Sequence, residues 1–234
     1  MPPTLPDSEV ENLAQQATVR VKSLKSSGSG TIVRRSGHTY TVLTNWHVVA
    51  FNRGERTIVT GDGKIHQLLE IPRRLGNTDL AIVRFRSTTE YKVPLISDRP
   101  TALGEPLLAA GFPAGAGNLT VARGFVKLLL PKSLPQGYSL GYTNEVTIGM
   151  SGGPIFDAAG CLVGINGRGK YREPDFGVYA FEDGSEPTPE LLEKMVKSSW
   201  GIPIGIYLQF VSSKLGNSRI SCTIENNLSK TIFG

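Results

Sequence analysis

Short apolar, β-branched runs recur along this chain, separated by Gly, Asn, Asp or Pro, and that rhythm favours an all-β architecture. A first set covers 19–24, 31–35, 39–49, 57–60, 80–86 and 94–96; a second covers 106–112, 119–130, 138–146, 154–156, 161–165 and 201–210. Turn signals such as Gly61-Asp62-Gly63 and Leu75-Gly76-Asn77 separate them. With 27 Gly and 15 Pro among 234 residues, a barrel or sandwich is favoured over a helix bundle. Polar residues and Pro100 interrupt the pattern near 97–104, so the runs fall into two groups of about six.

One stretch departs from the strand rhythm. Thr188-Pro189-Glu190-Leu191-Leu192-Glu193-Lys194-Met195-Val196-Lys197 has a capping threonine, proline in the first turn, acid early and lysine late, which predicts a short helix inserted near the C-terminus. Packing is its first reading and a lid over a pocket its second. Residues 1–18 read as an N-terminal extension and 211–234 as a polar tail: a docked strand, a disordered end or a linker.

The formal charge of +5 is mild, and there is no Lys/Arg block interleaved with aromatics, so nucleic acid is not an expected partner. No segment reaches the roughly eighteen apolar residues of a membrane span. The N-terminal Met1-Pro2-Pro3-Thr4-Leu5-Pro6 lacks the regions of a signal peptide. Localisation stays open between the cytoplasm and, if a leader was removed, an extracytoplasmic site. Cys161 and Cys222 make no disulfide framework, and spacing alone does not decide whether they pair. Three scattered histidines give no metal cluster, and no cofactor is implied.

The run Gly149-Met150-Ser151-Gly152-Gly153-Pro154 frames one serine as a candidate reaction centre. A serine hydroxyl attacks a carbonyl only with a base beside it and donors for the developing charge. Upstream, Thr44-Asn45-Trp46-His47-Val48-Val49 places a histidine at the end of a strand-like run, and Asp79 opens the run Asp79-Leu80-Ala81-Ile82-Val83. Asp62, the rival acid, sits in a Gly-Asp-Gly turn. His38 and His66 lack a comparable context. The chain order is histidine, aspartate, serine, which excludes an α/β-hydrolase esterase, where the serine comes first.

These segments, with Gly28-Ser29-Gly30-Thr31-Ile32-Val33 and Leu162-Val163-Gly164-Ile165-Asn166-Gly167, resemble in sequence and order the trypsin-like serine peptidases, closest in style to the bacterial Htr/Deg proteases. The resemblance implies two packed six-stranded antiparallel β-barrels, 19–101 carrying His47 and Asp79 and 102–210 carrying Ser151 and the helix at 188–197. It implies a serine endopeptidase acting on proteins or peptides through an acyl-enzyme. His47 would be the base, Asp79 its orienting acid and Ser151 the nucleophile, with the backbone N–H groups of Gly149 and Ser151 as oxyanion hole. No PDZ-sized segment follows in this sequence.

Met150 departs from the animal enzymes, which carry an aspartate just before the nucleophile to receive a new N-terminus after zymogen cleavage. Methionine cannot hold an ammonium, so maturation by that switch is not expected. Glu145 stands six residues before Ser151. Pointing into the specificity pocket it would favour Arg or Lys at the scissile position; as a solvated glutamate it would not. Arg168 would pair with Glu145 or attract acidic side chains, and Asn166 and Gly167 would bind the backbone of an extended peptide. The rival reading is a non-catalytic or latent peptide-binding module on the same fold that needs an activating partner.

Overall fold

The computed structural model describes residues 4–23, 27–50, 56–170, 179–212 and 222. The chain enters through helix α1 (Asp7–Ala17), whose Val10, Ala14 and Ala17 recur at helical spacing and are buried. Arg123 ties this helix down by ion pairs to Asp7 at 2.9 Å and Glu11 at 2.5 Å.

The first sheet contains β1 (Thr18–Lys22), β2 (Ser27–Ser36) and β3 (Thr39–Thr44); after the one-turn helix α2 (Trp46–Val49) follow β4 (Thr57–Val59), β5 (Ile65–Gln67), β6 (Arg73–Arg74) and β7 (Ala81–Arg86). Its order is β5-β4-β1-β2-β3-β7-β6. A single bridge from Leu68 to Phe85 brings the β5 side back to β7, so the sheet curls into a half-barrel around Val19, Ile32, Tyr40, Val42, Ile58 and Phe85.

The second set, β8 (Pro106–Gly111), β9 (Thr120–Leu134), β10 (Tyr138–Tyr142), β11 (Pro154–Asp157), β12 (Leu162–Arg168) and β13 (Ser199–Pro203), closes as a barrel in the order β10-β13-β12-β11-β8-β9. Strands β10 to β12 turn Leu140, Tyr142, Ile155 and Val163 into its core, where Met150 is also fully buried. The all-β double-barrel expectation holds, with one barrel closed and the other curled. Helix α3 (Pro189–Val196) forms where predicted, and the Thr188 side chain accepts from the Leu191 N–H as its cap.

Three local expectations need correction. The run 39–49 is not one strand: β3 stops at Thr44, and His47 rides on α2. Residues 94–96 form no strand; Ile96 makes only an isolated bridge to Leu162. The run 201–210 turns from β13 into helix α4 (Ile204–Ser212), because its apolar residues serve a helix packed on β12 and β13. The pairing that spacing left undecided is made: Cys161 and Cys222 are joined in a disulfide, with Cα atoms 6.1 Å apart. Apart from Cys222, the tail from 213 onward lies outside the described residues, as do residues 1–3.

Candidate active site

Strand β3 delivers Thr44 and Asn45 to the turn that becomes α2, and Asp79, two residues before β7, meets that turn. The Asp79 carbonyl accepts from Trp46 N–H at 3.1 Å and Asn45 Nδ2 at 2.9 Å. Its carboxylate accepts from His47 N–H through Oδ1 at 2.8 Å and faces His47 Nδ1 through Oδ2 at 2.6 Å. Because an ionised carboxylate only accepts, Nδ1 carries the proton and Nε2 is left as the acceptor facing the cleft. Asp79 is 3 % exposed and His47 43 %. Burial pushes the Asp79 carboxyl up, but the hydrogen bond and charge of His47, with the Tyr138 hydroxyl, outweigh it and hold the group below the ordinary carboxylate range. Asp62 instead bonds Thr60 and pairs with Lys64 at 3.2 Å, in the turn the sequence indicated.

Across a cleft of about 850 Å³ lined by both His47 and Ser151 lies the loop between β10 and β11. Gly149 has φ +96° and stands against Ala114 N and Phe112 O, so a side chain there would be both strained and blocked. The Ile148 carbonyl accepts from Ala114 N–H at 2.8 Å. In a trans peptide the Gly149 N–H must then point the opposite way. Among the described residues neither Gly149 N–H nor Ser151 N–H has a protein acceptor. The Ser151 hydroxyl donates to the Gly167 carbonyl at 3.1 Å rather than to His47.

Ser29, quoted in the sequence only as part of a motif, fastens this loop from the first sheet. Its N–H donates to Ser151 O and its hydroxyl to Gly149 O, each at 2.8 Å, while that hydroxyl accepts from Phe112 N–H at 2.8 Å. Thr31 adds a bond to Gly152 O at 3.1 Å. Tyr138, whose hydroxyl donates to Asp79 Oδ2, was also missed. Neither role has a local sequence signal, since each side chain acts on a residue more than fifty positions away.

The residues expected to bind substrate divide. Gly167 and Arg168 line the cleft. Asn166 does not: it is fully buried, its amide donates to Ala110 O and Pro154 O and accepts from Tyr142 OH at 2.6 Å, and its backbone bonds Gly152 and Gly153. Glu145 is also outside the cleft lining; its side chain is 77 % exposed and pairs with Lys170, not Arg168. Val146, Thr147 and Ile148 form that wall instead. Arg168 lies 4.2 Å over the Tyr138 ring, with Nη2 3.4 Å from Gln136 Oε1. Met150 fills the second barrel's core with its thioether, and Thr147 N–H points at its sulfur at 3.5 Å. Among the described residues no group of three or more His, Cys, Asp or Glu could hold a metal, and no helix is long and apolar enough to cross a membrane.

Residues 28–165 match the model of the trypsin-like peptidase domain. The chain is 29 % identical over 228 residues to a probable periplasmic serine endoprotease, DegP-like, of Pseudomonas putida, covering 93 % of this chain and 46 % of that protein. It is 28 % identical over 172 residues to the magnetosome formation protease MamE of Magnetospirillum gryphiswaldense, covering 71 % of this chain and 22 % of that one. The chain thus spans less than half the length of these relatives. The crystal structure of a serine endoprotease from Yersinia pestis superposes with a TM-score of 0.66 at 23 % identity, over 92 % of this chain and 70 % of that one, a likeness of fold.

Proposed function

The chain belongs to the trypsin-like peptidase family, and from that premise we propose that it is a serine endopeptidase that cleaves proteins or peptides through an acyl-enzyme. The observation that carries this reading is the His47 Nδ1–Asp79 Oδ2 bond of 2.6 Å, which leaves Nε2 without a partner among the described residues, on a histidine lining the cleft that Ser151 also lines. Nε2 takes the Ser151 proton as the hydroxyl attacks the scissile carbonyl, then returns it to the leaving amine. Asp79 fixes the tautomer and stabilises the imidazolium. The unspent N–H groups of Gly149 and Ser151 receive the oxyanion, a contribution typically worth a hundredfold or more in turnover. An extended peptide runs along the 167–169 edge beside Arg168.

A second reading has its own observation. The Ser151 hydroxyl is engaged by Gly167 O, and such a bond must break before His47 can accept its proton, as in a latent enzyme or a peptide-binding module awaiting a partner. Hydrolysis of an unstructured protein by the wild type and by Ser151→Ala separates the two: activity lost with the fold retained supports the peptidase, and a folded, inactive wild type supports latency.

A further inference from the structure

Asp79 is gripped from both sheets. The second barrel reaches it through the turn between β9 and β10: Gln136 O accepts from Asp79 N–H at 2.9 Å, and two residues later the fully buried Tyr138 hydroxyl donates to Asp79 Oδ2, the same oxygen that faces His47 Nδ1. This turn holds Gln136 at φ +71°, the only positive φ of a non-glycine among the described residues, a strain that persists only where surroundings enforce it. Space for the phenol is reserved as well: a Cβ on Gly167 would run into the Tyr138 hydroxyl. The Arg168 guanidinium closes the ring's cleft side.

We propose that Tyr138 is a positioning residue for the peptidase reaction, its phenol holding the Asp79 carboxylate in the orientation that aims His47 at Ser151. This rests on the peptidase reading above. The phenol keeps its proton for this role, since burial and the Asp79 charge push its ionisation well above the ordinary tyrosine range. It also shares out the charge of the oxygen that faces the imidazole. Around that carboxylate stand His47 from α2, Tyr138 from β10 and, beyond the ring, Arg168 from β12; Arg74 of β6 is occupied by the Asn77 and Thr78 carbonyls. Without the phenol more negative charge remains on Oδ2, which stabilises the imidazolium.

The test is Tyr138→Phe, which keeps the ring and removes only the donor, assayed for kcat, KM and pH profile beside wild type and Ser151→Ala. The expected result is a kcat lower by about tenfold with KM within about twofold, and an acidic limb of kcat/KM moved to higher pH. A purely structural hydroxyl would not move that limb. Gly167→Ala, which crowds the phenol away from Asp79 without removing it, should move the limb the same way, and it decides alone should Tyr138→Phe not fold. An active wild type with both variants tracing its profile overturns the positioning role and leaves the peptidase reading intact. A wild type without Ser151-dependent activity overturns both.

Discussion

The Ser29 hydroxyl of the first sheet donates to the Gly149 carbonyl of the second barrel at 2.8 Å and accepts the Phe112 N–H at the same distance, so one buried side chain fixes the loop that carries the candidate nucleophile. Ser29→Ala leaves a buried carbonyl and a buried N–H without their partner. It should destabilise the fold by about 1–3 kcal/mol, read by urea unfolding, and slow labelling of Ser151 by a fluorophosphonate more than that loss of folded protein explains. Labelling at the wild-type rate would show that the loop holds its shape without Ser29.

Asp79 makes stability depend on pH with a definite sign. Its folded-state ionisation lies below the ordinary value of 3.8. Its contribution is therefore fully present above that value and lost as pH falls through the depressed folded value. The stability gap between wild type and Asp79→Asn, measured by denaturation, should be widest above about pH 5 and shrink toward pH 2. A gap that grows on acidification would contradict the assignment of Asp79 as the ionised partner of His47.

Glu145→Gln should leave the cleavage-site profile of a peptide library unchanged. The carboxylate is exposed and paired with Lys170, and the cleft wall beside it is built from Val146, Thr147 and Ile148, with Ile148 85 % exposed. With no carboxylate among the described residues of that wall, no selection for Arg or Lys at the scissile position is expected from it. Such a preference in the wild type, abolished in the variant, would restore Glu145 as the pocket acid.

The disulfide between Cys161 and Cys222 closes a loop across a sequence separation of 61. On the chain-entropy account such a cross-link is worth about 4 kcal/mol. Cys222→Ser should lower the melting temperature markedly, and the oxidised wild type should show no thiol reactive to maleimide under denaturing, non-reducing conditions. Two reactive thiols in protein isolated without reductant would contradict the pairing.

Much of this architecture is written locally in the chain. The β-branched runs and turn glycines specify strands, and Thr188 with Pro189 specifies the start of α3. The motifs likewise point to His47 and Ser151, which line one cleft, and to Asp79, which is buried and bonded to His47. Other features depend on tertiary neighbours. An apolar stretch of ten residues reads equally as strand or helix, so 201–210 hid the passage from β13 into α4. Asn166 looked available for substrate because its sequence position gives no hint that Ala110, Pro154 and Tyr142 consume its amide. Ser29 and Tyr138 act across the two sheets, where no periodicity reaches.

The most direct test of the central claim is labelling of the purified protein by a fluorophosphonate probe, compared with Ser151→Ala and His47→Ala. The account predicts covalent labelling of the wild type alone, mapped to Ser151, because only a serine with a working base and an open oxyanion hole reacts. Equal labelling of wild type and Ser151→Ala, or no labelling of a folded wild type, would contradict it.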